Sequence, residues 1–204
     1  MTDRKHHWEG KYNSLGGPHA SWHQEVPGQS LAMIDRAGLS PDSPVIDVGG
    51  GDSRLVDFLL QKGFRDITVL DISAVALSKA KKRLGKKAHQ VKWVAQDITD
   101  FKPDRIYALW HDRAMYHFLC QECDRDKYRT ALGKALEPGG QLVISGFAIG
   151  GPEKCSGLDI IQYDGANLAK ELGGEFRLLE EMQEVHVTPA NREQLFGFYR
   201  FARR

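Results

Sequence analysis

The 204-residue chain has no apolar run long enough to cross a bilayer, and Met1 to His7 lack the apolar stretch of a secretory signal. Cysteine is scarce. Cys120, Cys123 and Cys155 cannot all pair with one another, so a disulfide framework is excluded and a reducing, cytoplasmic compartment is the simplest reading. Excess charge is missing too. The formal balance of +1 gives no field with which to capture nucleic acid or an anionic membrane, so neither is expected as a partner. There is no internal repeat and no low-complexity linker. With 41% hydrophobic and 27% charged residues, the composition is that of a soluble globular protein, and the length suits one domain spanning residues 1–204.

Short apolar runs alternate with helical stripes. Val45–Val48 reads as a first strand, and Leu55, Val56, Leu59 and Leu60 as a helix stopped by Gly63. Ile67–Leu70 is a second strand closed by Asp71. Ser73 caps the next helix, whose face is Leu77, Ala80 and Leu84. Val91–Ala95 and Ile106–Trp110 are the third and fourth strands. Tyr128, Ala131, Leu132, Ala135 and Leu136 give a clear helical stripe that Pro138-Gly139-Gly140 ends. Gln141–Phe147 is a fifth strand, and Asp164 caps a helix running to about Leu172. Phe176–Val187 and Leu195–Phe201 then read as a hairpin joined through Thr188-Pro189-Ala190-Asn191. The order predicts an α/β fold with a doubly wound, seven-stranded, mostly parallel sheet, finished by an antiparallel C-terminal hairpin.

The chemistry concentrates at strand ends. In Val45-Ile46-Asp47-Val48-Gly49-Gly50-Gly51-Asp52-Ser53 a strand runs into glycines and then a helix, which lets a ligand approach the backbone closely. Asp71 ends the second strand, where a carboxylate can accept two hydrogen bonds from a ribose diol. Asp97 ends the third, where it can meet an adenine amino group. Asp47 precedes the glycines, close to where the ammonium of an amino acid would lie. A cationic, methionine-type ligand gains from such acids, whereas a pyrophosphate is repelled. The dinucleotide pattern also fails, because Arg54 stands at the third glycine position.

Asp47-x-Gly49-x-Gly51, Val69-Leu70-Asp71-Ile72-Ser73 and Gln96-Asp97-Ile98 resemble the first three motifs of the class I S-adenosylmethionine-dependent methyltransferases. The terminal hairpin is similar to theirs, and the resemblance covers residues 44–204. It implies S-adenosylmethionine as cofactor and S-adenosylhomocysteine as product. It also implies that Asp71 binds the ribose beside Ile72, that Asp97 and Ile98 flank the adenine, and that Gly49, Gly50 and Gly51 lie beside the methionine part. Ser53 departs from the glycine many members carry there.

Residues 1–30 precede the first βα unit and hold Trp8, Tyr12 and Trp22. Trp8 and Tyr12 are four apart and share a helical face, as packing anchors or as part of a lid over the cofactor. Aromatic faces attract a sulfonium as they do other soft cations. Trp8-x-x-x-Tyr12 is similar to the start of methyltransferases that modify lysines on translation factors.

The fourth strand should deliver His111, Asp112 and Arg113 to the ligand crevice. Methyl transfer is a displacement at carbon in which alignment does most of the work. His111 or His117 can serve as base if the acceptor carries a proton. Arg113 can hold a substrate anion. Asp112 can orient His111 or pair with Arg113. The competing reading is a structural network with Asp112 on Arg113 and His117 packed. Asp112-Arg113-Ala114 looks a little like the Asp-Arg-Gly of thiol methyltransferases acting on small aromatic thiols. It differs from the Asp-Lys-Gly of the lysine enzymes. Cys155 follows the fifth strand and can line an acceptor pocket or simply pack. The spacing His117-x-x-Cys120-x-x-Cys123 is poor for a closed zinc site, and no metal is expected. Three functions stay open: methylation of a small-molecule acceptor, methylation of a protein lysine, and a non-catalytic module that binds the cofactor or its product.

Overall fold

The computed structural model describes residues 3–15 and 19–204; residues 1–2 and 16–18 of the expected lid segment lie outside the described residues. After α1 (Asp3–Leu15) and α2 (Gly28–Arg36), strands and helices alternate: β1 (Val45–Val48), α3 (Leu55–Gln61), β2 (Ile67–Asp71), α4 (Ala74–Leu84), β3 (Val91–Ala95), β4 (Tyr107–Arg113), α5 (Glu122–Ala135) and β5 (Leu136–Phe147). A two-residue hairpin, β6 (Lys154–Cys155) and β7 (Leu158–Asp159), leads to α6 (Gly165–Leu172), β8 (Phe176–Val187) and β9 (Glu193–Arg203). The seven-stranded sheet has the order β3-β2-β1-β4-β5-β9-β8. All pairs are parallel except those that β9 makes with β5 and β8. The strand order reverses between β1 and β4, and a crevice opens there beyond the carboxyl ends of the strands.

The sheet is apolar on both faces, as burial between two helix layers requires. Ile46, Val48, Leu70, Trp110, Leu142 and Ile144 face α5 and α6, where Tyr128, Ala131, Leu132 and Leu168 meet them. Val45, Ile67, Val69, Leu109 and Val143 face the other way, toward Met33 and Ile34 of α2, Leu55 and Leu59 of α3, and Leu77 of α4. Ser73 Oγ accepts from Ala76 N at 3.1 Å and Asp164 Oδ1 accepts from Asn167 N at 2.7 Å, so both expected caps form.

Three boundaries differ from the sequence reading. β4 starts at Tyr107 and continues through His111-Asp112-Arg113, because these residues pair with Asp47, Val48, Ile144 and Ser145 in the neighbouring strands. The backbone ladder on both sides outweighs the polar side chains. α5 ends at Ala135, and β5 takes up Leu136 and the Pro138-Gly139-Gly140 turn as a register irregularity opposite Tyr107–Leu109. β9 is longer at both ends because β8 pairs with it from Glu193 to Arg203.

Alternation along β4 separates the three polar residues. His111 and Arg113 share the α2 face, and Asp112 projects to the α5 face. There Asp112 accepts hydrogen bonds from Met115 N (3.0 Å), Tyr116 N (3.2 Å) and Tyr128 OH (3.0 Å), and Tyr128 in turn accepts from Trp110 Nε1 at 2.9 Å. This corrects the expectation that Asp112 orients His111 or pairs with Arg113, since the pleat holds it on the opposite side. Burial pushes its carboxyl up to about 7 despite the three donors. Asp112→Ala strands those donors in the core. It should lower stability by about 3 kcal/mol in urea unfolding, the cost of a few unsatisfied buried groups.

Candidate active site

A cavity of about 120 Å³ lies over the switch point between β1 and β4. Its walls include Asp47 from β1, Gly49, Gly50, Asp52 and Ser53 from the following loop, Asp71 and Ile72 from the end of β2, and Asp97 and Ile98 after β3. The other side is formed by His111, Arg113, Met115, Phe118 and Cys155, with Trp8, Tyr12 and Trp22 from the N-terminal segment. The sheet edge thus brings the three acids Asp47, Asp71 and Asp97 to one cavity. Asp112 and His117 do not line it.

The glycines are required by contact as well as by turning. A Cβ on Gly50 would stand 2.6 Å from Asp47 Oδ2. One on Gly49, whose φ is +68°, would stand 2.5 Å from the Met115 side chain. Gly51 is not in the cavity wall itself, but a Cβ there would strike the Tyr12 hydroxyl. The loop therefore fits tightly between the acids and the N-terminal segment. Ser53 Oγ accepts from Leu55 N at 3.1 Å, a turn at the start of α3.

Asp71 is buried. Its Oδ1 accepts from Ser73 N at 2.8 Å. Burial pushes its carboxyl up to about 7; the amides of Ser73 and Gly51 pull against this, and the charges of Asp47 and Asp52 add to it. Asp97 Oδ1 accepts from Thr99 N and Oγ1, both at 2.9 Å. Its Oδ2 has no hydrogen-bond partner, with Arg4 Nε the nearest cation at 3.7 Å.

His111 lies where its strand position suggested, but its ring is fully engaged. Nδ1 meets Asp47 Oδ1 at 2.7 Å and Nε2 meets Ser30 Oγ at 2.9 Å. The Ser30–His111–Asp47 order is that of a nucleophilic triad, yet Ser30 is buried on α2 and outside the cavity wall. The chain of contacts holds Asp47 in place and leaves no ring nitrogen for a substrate proton. Both ring nitrogens that the sequence reading offered as a base are thus engaged in this arrangement. His117 is no replacement: burial, then the nearby Arg113 charge, lower it to about 3, and its ring packs on Phe118 and Phe147. Cys120 and Cys123 are exposed and apart from it in burial.

α1 lies across the crevice. Arg4 Nη2 donates to Asp124 Oδ2 at 3.1 Å, Glu9 accepts from Ala74 N at 2.9 Å at the start of α4, and Lys79 Nζ donates to Tyr12 O. Trp8, Tyr12, Trp22 and Phe118 form an edge-to-face cluster, with Trp8–Phe118 centroids 5.0 Å apart and Tyr12–Trp22 centroids 5.5 Å apart. Burial, with Asp71, Asp52 and Asp47 nearby, raises the Tyr12 hydroxyl well above its ordinary value. Sequence reasoning missed Arg4, Ser30, Gln24 and Phe118. Ser30 lies far from any motif, and only the fold brings it to the His111 ring, behind the cavity wall.

Residues 45–140 match the family model of a methyltransferase domain. Over 196 residues, covering 93% of this chain, it is 23% identical to an eEF1A lysine and N-terminal methyltransferase of Bos taurus, of whose length the match covers 26%. The chain thus spans about a quarter of the length of that relative. Its fold is similar to that of the 1,6-didemethyltoxoflavin-N1-methyltransferase of Burkholderia thailandensis, with a TM-score of 0.76, 17% identity and 98% of this chain and 87% of that one covered. It is also similar to the N-methyltransferase NodS of Bradyrhizobium japonicum, with a TM-score of 0.73, 17% identity and 97% and 98% coverage. Both of those structures hold S-adenosylhomocysteine. The fold is thus shared with methyltransferases, and residues 45–140 resemble a methyltransferase domain.

Asp71 yields a stability prediction that needs no ligand. Its folded value, about 7, lies above the ordinary 3.8, so the native state binds the proton more tightly than the unfolded chain does. Stability contributed by this group is therefore lost as pH rises from about 4 through 7. Asp71→Asn should be more stable than wild type at pH 8 in thermal unfolding, and the advantage should vanish near pH 4.

Proposed function

We propose that this enzyme methylates a small-molecule acceptor, and that residues 1–30 form a lid over a core of residues 44–204 in one domain. The observation that carries the reading is the roofed cavity. Trp8, Tyr12 and Trp22 stand over acids at three successive strand ends, which suits a compact acceptor enclosed with the cofactor. The acids fit the group. Asp97 Oδ2 lacks a hydrogen-bond partner, Asp71 is a buried carboxyl with no cationic side chain paired to it among the described residues, and the glycine loop leaves room where a Cβ would collide. In this reading Asp71 takes the ribose diol beside Ile72, Asp97 and Ile98 border the adenine, and Asp47 with Gly49, Gly50, Gly51 and Ser53 holds the amino-acid end.

S-adenosylmethionine supplies a methyl group on an already activated sulfonium. What this chain adds is placement. Asp47, fixed by His111 and Ser30, gives a negative field at the amino-acid end. Trp8, Tyr12 and Trp22 offer aromatic edges and faces to a soft cation and keep water from the reacting atoms. His111 has both ring nitrogens engaged, which favours an acceptor that is nucleophilic as it binds. Arg113 and Cys155 border the acceptor side. Asp112 serves in the core rather than in the reaction.

A protein lysine acceptor is the second reading. The Bos taurus relative's name and the Trp8-x-x-x-Tyr12 element favour it. The aromatic side chains of Trp8, Tyr12 and Trp22 along the cavity favour a compact acceptor over a lysine on a folded protein. The non-catalytic reading gives way because the cavity extends past Asp47 to Arg113 and Cys155. Three free cysteines, two of them exposed, support a cytoplasmic location, and among the described residues no helix is long and apolar enough to cross a membrane.

Titration calorimetry with S-adenosylhomocysteine should show binding to wild type, with Asp71→Ala weakened about a hundred-fold through loss of two charge-assisted hydrogen bonds. Unchanged affinity would remove the ribose assignment. His111→Ala should also weaken binding, about ten-fold, because Asp47 loses its anchor; full affinity with lost turnover would restore the histidine as base. With methyl-labelled cofactor and fractionated cell extract, label is expected in small molecules. Label in protein lysine instead would select the second reading.

A further inference from the structure

The Arg113 guanidinium is held on one side only. Nη1 donates to Trp22 O at 3.0 Å, and its carbon lies 5.2 Å from the Phe196 ring centroid. Nε and Nη2 are shut off from solvent and have no hydrogen-bond partner. These two nitrogens form the side-on fork of an arginine, the edge that matches both oxygens of a carboxylate.

Among the described residues no carboxylate forms an ion pair with it. Asp47 is taken by His111 at 2.7 Å, and Glu184 accepts from Gln24 Nε2 at 3.2 Å; both act on Arg113 only through their field. Burial draws the guanidinium down to about 10, so it stays charged at neutral pH. A shielded cation with an open fork is costly unless an anion meets it.

Topology decides which anion. Asp71 and Asp97 end β2 and β3, on one side of β1. Arg113 ends β4, on the other side, and faces Phe196 of β9 near Cys155 of the β6–β7 hairpin. The adenosyl half of the cavity is thus remote from Arg113, and the half that remains is bordered by Trp22, Phe118 and Met115. We propose that Arg113 clamps an anionic group of the acceptor, so that the substrate is a small carboxylate with an apolar or aromatic body. The inference rests on the methyltransferase reading of the same cavity.

The test uses the full chain saturated with S-adenosylhomocysteine and two probes of one shape, benzoate and benzamide, titrated by ligand-observed NMR. Benzoate should bind at least ten-fold more tightly than benzamide. Arg113→Gln should erase that preference while S-adenosylhomocysteine affinity stays within about three-fold, and Arg113→Lys should keep part of it. Circular dichroism checks folding, and Arg113→Lys alone carries the comparison if Arg113→Gln fails to fold. Equal binding of the probes, or binding of neither, overturns the proposal. So does displacement of S-adenosylhomocysteine by benzoate, or a greater than ten-fold loss of S-adenosylhomocysteine affinity in the variants, since Arg113 would then serve the cofactor's own carboxylate. If wild type fails to bind S-adenosylhomocysteine at all, the cofactor placement falls and this inference with it, an outcome distinct from loss of the probe preference alone.

Discussion

The pairing of Asp47 with His111 across β1 and β4 is the contact on which the site depends. The two residues are directly aligned in the parallel ladder, and their side chains meet at 2.7 Å in a buried position. Asp47 Oδ2 in turn sets how closely the glycine loop can pass, since any Cβ at Gly50 would collide with it. Ser30 closes the far end of the imidazole. The carboxylate is therefore locked in direction, and among the described residues no arginine or lysine forms an ion pair with it. Asp52 and Asp71 stand nearby, and each raises the cost of a further negative charge. Charges interact strongly where water is thin. A pocket so built repels phosphates and rewards a cationic ligand, and that preference follows from the acids before any family likeness is considered.

The pleat of β4 divides its labour. Residues one apart point to opposite faces, so the strand gives Asp112 to the core and His111 and Arg113 to the crevice. A one-residue slip in register would exchange these roles, placing one carboxylate in the cavity and two basic side chains against Tyr128. Apolar burial on both faces opposes such a slip: Leu109 packs with Val143 on one side and Trp110 with Leu142 on the other. The same buried pattern that stabilises the sheet thus fixes the electrostatics of the site.

Much of this was legible in the residues. The strand ends carrying Asp47, Asp71 and Asp97 were marked by apolar runs stopping at acids or glycines, and the caps at Ser73 and Asp164 were visible as side-chain chemistry. The extension of β4 was not, because His-Asp-Arg reads as polar and the ladder that holds it comes from strands distant in sequence. The engagement of His111 was hidden for a related reason. Sequence places a histidine at a strand end, but it cannot show that Ser30, on a helix before β1, will occupy its second nitrogen. Arg113 could be marked as a candidate anion holder, whereas the occupation of one nitrogen by Trp22 and the lack of a partner on the opposite edge are properties of packing alone.

A histidine engaged in holding an aspartate is reasonable in an enzyme of the proposed chemistry. The leaving group is activated before it arrives, so the barrier falls mainly through alignment and exclusion of water. Fixing the direction of Asp47 serves alignment more directly than a proton acceptor would. The aromatic cluster of Trp8, Tyr12, Trp22 and Phe118 serves the second need, and it is tied to the core by polar contacts at Arg4, Glu9 and Lys79 rather than by a continuous apolar seam. Polar ties of this kind, exposed or only partly buried, are individually weak. A roof held by weak ties over a strongly specified floor is what a reaction requires when ligands must enter and leave but must be dry while aligned.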